Sequence, residues 1–448
     1  MSQTLDTKTT AKWQPYPEYK DSGIAWLGEI PSHWETKRLK VFASVNMGQS
    51  PSSEECNQNG IGLPFLQGNA DFGNLHPSPK TYCETARKTA LQDDILLSVR
   101  APVGQMNVAD QTYGIGRGLC AITPHSDIDR NYLWFLLYLI REELSSVSTG
   151  STYDAVSVDE VKRLTSCLPP LPEQRAIAAF LDRETASINT LIAKKQHLID
   201  LLREKRTALI SHAVTKGLDP TAPMKDSGVA WLGEIPQGWE VHSLRRVVDT
   251  FVDYRGFTPA KTDSGTPLVT ARNIKNGIID FTLSKEFISE EDYPDRMVRG
   301  FPKIGDVLVT TEAPLGETAQ IVDEKIALAQ RIILLKVNKS LITNDYLKHY
   351  LSSEAGKAEL WSRATGSTAV GIKASHLREI FIIVPFISEQ IEIVQLLKKE
   401  TARIDALIST IEEGIKKLQE YSTALISATP STMASIRRIS CTTSCSQP

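Results

Sequence analysis

Several absences narrow the reading of this chain. No apolar run approaches the roughly eighteen residues that a membrane-crossing helix needs, and Met1 to Thr10 is polar, so neither a membrane span nor a signal peptide is expected. The six cysteines (Cys56, Cys83, Cys120, Cys167, Cys441 and Cys445) never form a C-x-x-C pair. That argues for reduced thiols in a cytoplasmic protein and against a zinc site or disulfide frame. No H-E-x-x-H, G-x-S-x-G, Asn-Pro-Pro-Tyr or Asp-Pro-Pro-Tyr occurs, so zinc-protease, serine-hydrolase and amino-methyltransferase chemistry lack their motifs. Two decoys remain. Gly114-Ile-Gly116-Arg-Gly118 imitates a nucleotide loop, and Gly366 to Lys373 imitates a P-loop, but Ile372 stands where Lys must directly follow Gly371. The net charge of −3 leaves no strong electrostatic bias, although a near-neutral total can conceal a basic face.

What the chain does have is itself, twice. Lys20-Asp-Ser-Gly-Ile-Ala-Trp-Leu-Gly-Glu-Ile-Pro31 returns as Lys225-Asp-Ser-Gly-Val-Ala-Trp-Leu-Gly-Glu-Ile-Pro236, with one conservative change. Thr149-Gly-Ser-Thr152 returns as Thr365-Gly-Ser-Thr368, and Glu173-Gln174 as Glu389-Gln390. Thr207-Ala-Leu-Ile-Ser211 returns as Thr423-Ala-Leu-Ile-Ser427, and these three pairs are each 216 positions apart. Ala101-Pro102 and Ala313-Pro314 are 212 apart, and the opening segments 205, so the front of each copy varies in length and the back does not. A period this long is a tandem pair of domain-sized units and not a solenoid. At 448 residues with 41% hydrophobic content, two cores of ordinary size can be buried.

Each copy ends in a long helical pattern. Pro172 suits a first helical position, Glu173 the positive end of the helix dipole, Lys216 the negative end and Gly217 a left-handed stop. A helix over 172–217 would be roughly 65 Å long, and its partner spans 388–428, opening on Ser388 as N-cap. Ile188, Leu191, Leu198, Leu202 and Leu209, with Ile404, Leu407, Ile411, Leu418 and Leu425, trace an interrupted coiled-coil seam. Closing that seam requires the second helix to return antiparallel to the first. The fold class expected is α+β: two mixed α/β domains, 17–171 and 222–387, separated by two long antiparallel helices, with an internal pseudo-two-fold. Gly217 to Pro223 reads as the linker into the second copy. Pro430 is expected to cut the second helix short, and 429–448, rich in Ser and Thr without acidic residues, to be disordered.

Between the anchors the copies diverge, as two surfaces meant for different targets would. Candidate base readers are Gln67 and Asn69 of Gln67-Gly-Asn69, set against Ala271-Arg272-Asn273, which offers Arg272 and Asn273 with Lys275 close behind, and Arg100, Arg117 and Arg331. Arg favours guanine and Asn or Gln favours adenine through paired hydrogen bonds in the major groove. Thr149, Ser151, Thr152, Thr365, Ser367, Thr368 and Lys373 are candidates for phosphate contacts, though a turn that satisfies its own backbone explains the Thr-Gly-Ser-Thr segments equally. No catalytic or metal constellation emerges. A solitary methyltransferase or nuclease, and a structural adaptor binding proteins only, are the alternatives to DNA recognition.

Taken together, the D-S-G-x-x-W-L-G-E-I-P openings, the Ala-Pro-x-Gly turns, Thr-Gly-Ser-Thr, the Pro-Leu-Pro-Glu-Gln helix start and Thr-Ala-Leu-Ile-Ser resemble the specificity (S) subunit of type I restriction–modification systems, over residues 17 to 428. The resemblance implies two target-recognition domains, each reading half of a split site in double-stranded DNA, on helices that set the spacing. It implies two methyltransferase (M) subunits and restriction (R) subunits as partners. S-adenosylmethionine, ATP and Mg would sit on those partners, leaving this chain a non-catalytic subunit without a cofactor.

Overall fold

The computed structural model describes residues 16–24, 27–148, 155–256, 258–366 and 370–432. The chain forms two compact units that do not coincide with the sequential segments. One comprises residues 1–193 with 414–448, the other residues 194–413. Each therefore takes part of both long helices. Gly217 to Pro223 joins the first long helix to the strand Met224–Asp226, which opens the second copy, and lies within the second unit.

Each unit pairs a four-stranded antiparallel sheet with a mixed one. In the first, Met106–Val108, Ile95–Ser98, Leu119–Pro124 and Ala43–Met47 lie side by side, as do Val248–Asp253, Ile332–Val337, Val307–Thr310 and Thr318–Gln320 in the second. Ile95–Ser98 and Val307–Thr310 are buried along their whole length, which is why they read as continuous apolar runs without alternation. The acidic residue leading into each strand closes the turn before it: Leu91 N–H donates to Asp94 at 2.7 Å, and Lys303 N–H to Asp306 at 3.0 Å. At the far end one hydroxyl staples the Ala-Pro-x-Gly turn. Ser98 Oγ donates to Pro102 O at 2.7 Å and accepts from Gln105 N–H at 2.8 Å. Thr310 Oγ1 repeats both bonds with Pro314 and Glu317, at 2.6 and 2.9 Å.

The long helices span Leu171–Lys216 and Ile387–Thr432, 46 residues each. Each is held to its unit by a glutamine sealed from water. Gln174 Nε2 donates to Asp127 O and Pro169 O at 3.1 and 2.8 Å, and its Oε1 accepts from Asp129 N–H at 2.8 Å. Gln390 makes the same three bonds, to Leu341 O, Pro385 O and Thr343 N–H. Pro430 does not cut the second helix short. It stands in the last turn, where little helix remains downstream to lose. The disordered tail expected over 429–448 is helical through Thr432 and then lies outside the described residues.

The buried line on each helix departs from the predicted seam. Leu191, Leu198 and Leu407 are 43%, 46% and 46% exposed. The covered positions are Leu181, Thr185, Ile188, Ile192, Lys195, Ile199, Leu202, Arg206, Leu209 and Ala213, and Leu397, Thr401, Ile404, Ile408, Ile411, Ile415, Leu418, Ser422 and Leu425. These alternate four and three without a break, a heptad line sharing every second position with the predicted one. The ambiguity lay in adjacent apolar pairs such as Leu191–Ile192 and Leu198–Ile199, either member of which keeps the period. Inside the second unit the two helices run antiparallel, with Arg203 paired to Glu412 at 3.5 Å and Arg206 to Asp405 at 3.3 Å. Inside the first, Ile177 and Leu181 share a core with Leu425 and Ile426.

Replacing Gln390 by Leu strands three backbone groups, one buried and two part-buried, and should cost on the order of 2–4 kcal/mol in urea denaturation of the full chain. A pH effect is expected at His349, which is 7% exposed. Burial first, then Lys348, Lys398 and Arg206 against the opposing Asp345, lowers its imidazole from 6.5 to about 4. The unfolded chain therefore takes up this proton first. The contribution is whole above pH about 6.5, falls as pH drops and is lost below about 4, on the order of 3 kcal/mol in all. His349→Leu should flatten that slope in denaturation curves taken across this range.

Candidate nucleic-acid interface

In the first unit a serine brings two of the predicted residues together. Gln67 Nε2 donates to Ser50 Oγ at 2.9 Å, and Arg117 reaches the same oxygen through Nε at 3.4 Å and its backbone N–H at 3.3 Å. Gln67 and Arg117 are both exposed, so their remaining donors and acceptors face outward. The glycine cluster beside them is explained by this packing. A Cβ at Gly116 would stand 2.7 Å from Gln67 Oε1, and one at Gly118 would stand 2.8 Å from Gln67 O. Gly114 pairs in parallel with Phe65, whose ring would meet an added Cβ at 2.8 Å. The motif that imitated a cofactor loop is a place where two strands and a side chain must approach closely.

The second unit builds a hollow at the matching place, a cavity of about 340 Å³. Arg272 and Arg331 line it with Thr258, Lys261, Thr270 and Gln330. Gln330 Nε2 donates to Thr258 Oγ1, the counterpart of the Arg117–Ser50 contact. Arg331 pairs with Glu312 at 2.9 Å, and Lys261 with Glu286 at 2.9 Å. Both cations are more than half exposed, and pairs of this kind contribute at most about 1 kcal/mol. Either can therefore exchange its carboxylate for a phosphate or a base edge at small cost.

Asn273 is not a base reader. It is fully buried, accepts from Thr270 N–H and Oγ1 at 2.9 and 2.8 Å, and donates to Asp280 O and Ser284 O at 3.0 and 2.8 Å. Its amide is consumed in holding a turn. Its counterpart in the first unit is also not Asn69. Gln67 N–H donates to Asp71 Oδ2 at 3.2 Å as Thr270 N–H donates to Asn273 Oδ1, so Asp71 is the equivalent residue. The first copy carries one extra residue at this turn: Leu66 and Val269 occupy the same place in the parallel pair, whereas the following turns are offset by one.

The remaining candidates lie elsewhere. Asn69 is half-buried in a short 3-10 turn, and Lys275 is exposed on the hairpin made by Ile274–Lys275 and Ile278–Ile279. Arg100 is exposed and bridges to Ala155, as Glu312, its positional match, bridges to Gly371. Thr365 bridges to Gly371, and exposed Lys373 precedes the turn Ala374–Leu377. Thr149, Ser151, Thr152, Ser367 and Thr368 lie outside the described residues. Ser50, Thr258, Lys261 and Gln330 were missed because isolated hydroxyls and amides carry no sequence pattern. The one available signal was Gln330, aligned with Arg117.

The two roles are separable by mutation. Asn273→Ala should destabilise the chain by about 2–4 kcal/mol, whereas Arg272→Ala should change stability by less than about 0.5 kcal/mol. Denaturation of the two variants beside the parent decides this, and equal losses would return Arg272 to a structural role.

A family model described as the type I restriction modification DNA specificity domain matches this chain twice, over residues 31–200 and 236–417. The putative type I restriction enzyme MjaX specificity subunit of Methanocaldococcus jannaschii is 38% identical over 167 residues, covering 37% of this chain and 39% of that protein. The type I restriction enzyme EcoBI specificity subunit of Escherichia coli is 20% identical over 426 residues, covering 91% of this chain and 88% of that protein. The fold is shared with a chain solved in work on complex assembly and conformational transition of the type I R-M system. That likeness has a TM-score of 0.67 at 17% identity and covers 89% of this chain and 98% of that one.

Proposed function

This chain belongs to the type I restriction modification DNA specificity family, and on that premise we propose that it is the DNA-recognition subunit of a restriction–modification complex, each unit reading one half of a split duplex site. The observation that carries the reading is a common frame bearing different polar groups. Both units keep the stapled strand-turn, the parallel strand pair and a hydroxyl at the centre of the surface. On that frame the first unit presents Gln67 and Arg117, and the second Arg272, Gln330 and Arg331. Groups that can form paired bonds to base edges specify, while Lys261 and the exposed Thr365 set register on phosphate.

We further propose that methyl transfer and cleavage belong to partners: two methyltransferase subunits carrying S-adenosylmethionine, and restriction subunits carrying ATP and Mg. The relatives' names place them in type I restriction enzymes, which supports assembly with such partners. Among the described residues no helix is long and apolar enough to cross a membrane, which is consistent with access to DNA.

Random duplex DNA retained by this chain with its methyltransferase partner should be enriched in a split motif of fixed gap. Arg331→Ala should relax one half of that motif and leave the other intact, costing about 1–3 kcal/mol against the parent site. Retention without enrichment, or relaxation of both halves together, would sink the two-surface reading.

A further inference from the structure

The second unit also holds a polar cavity of about 370 Å³ lined by residues from both long helices, the helix Asn344–Ser352 and the hairpin tip at Asn276–Gly277. It shares no residue with the hollow around Arg272 and Arg331. Four cations line it: Arg206, Lys348, Lys357 and Lys398. Two have carboxylates, Arg206 with Asp405 at 3.3 Å and Lys398 with Asp345 at 3.1 Å. Lys348 and Lys357 have none within ion-pair distance among the described residues. Glu317 also lines the cavity, but its Oε2 accepts from Asn276 N–H at 3.3 Å.

A second, independent feature points to a missing acceptor. His349 lines the same cavity, is 7% exposed, and its Nε2 has no hydrogen-bond partner. A buried polar atom left unpaired, beside a half-buried ammonium with Asp345 nearby but no carboxylate in ion-pair contact, is costly unless something fills the space. What fits is an acceptor with several oxygens and more than one negative charge. A phosphate group can take bonds from ammonium, guanidinium and imidazole donors at once.

We propose that this cavity is a binding site for a phosphate-class anion, seated on Lys348 and Lys357 with the Nε2 of His349 as a further donor. Such a ligand would pin the hairpin Ile274–Ile279 and the helix Asn344–Ser352 to the long helices within this unit. The occupant is either a small phosphorylated molecule or a backbone phosphate of duplex DNA, which share the recognised chemistry. The site does not depend on the base-reading assignment.

The test uses the full chain, with inorganic phosphate titrated by calorimetry against sodium chloride of equal ionic strength. Saturable binding is expected, weakened about ten-fold or more by Lys348→Met. Lys357→Ala, at an exposed position, should weaken it in the same direction and keeps the test valid if the first variant does not fold. The imidazole signal assigned through His349→Gln should move its titration midpoint upward in phosphate. If free phosphate does not bind but both lysine variants lower the salt dependence of duplex binding by about one released ion, the occupant is a DNA phosphate and the site stands. No saturable phosphate binding, together with unaltered DNA binding in both variants, overturns the proposal.

Discussion

The amides of Gln174 and Gln390 have no access to water, so every hydrogen bond they make is made inside the protein. Each satisfies three backbone groups where a domain ends and a long helix begins, groups that belong to loops and so have no secondary-structure partner of their own. Losing a bond there exposes a desolvated donor or acceptor and not merely a weakened contact. The direction in which each long helix leaves its domain is set by this small network. The antiparallel pairing within the second unit builds on it.

A second constraint keeps the reading surfaces rigid while allowing them to differ. The hydroxyls of Ser98 and Thr310 close the Ala-Pro-x-Gly turns from within, and Asp94 and Asp306 close the turns before the same strands. Because these bonds point into the frame, outward positions can change without cost to it. Arg100 stands where Glu312 does, and Arg117 where Gln330 does, on backbones that follow the same course. A protein that must recognise two different half-sites needs this division between inward and outward groups.

Much of this architecture was legible because repetition and helix termini are written locally. Pro172, Glu173, Lys216 and Gly217 mark the ends of a helix through backbone chemistry that needs no tertiary context, and Gly217 has a φ of 79°. The errors arose where two local solutions had equal merit. Leu191 and Ile192 both continue a heptad, and only packing shows that Ile192 is covered. Asn69 and Asn273 align in sequence, yet the first copy carries one more residue at the turn, which moves Asp71 into the equivalent position. Pro430 reads as a helix stop, but a proline in the last turn disturbs little that follows.

The sequence by itself determined that the chain is a tandem duplication, where its first long helix begins and ends, and to which family it belongs. Those properties rest on short-range chemistry and on repeats along one dimension. Tertiary structure alone decided which polar groups are spent internally and which are offered outward. Asn273 is consumed by a turn, while Ser50 and Thr258 anchor the surface. Lys348 and His349, neighbours in an unremarkable helix, face a cavity lined by residues some 140 and 50 positions away along the chain. Burial and hydrogen-bond satisfaction depend on atoms that only folding brings together, so no reading of residue types in order can assign them.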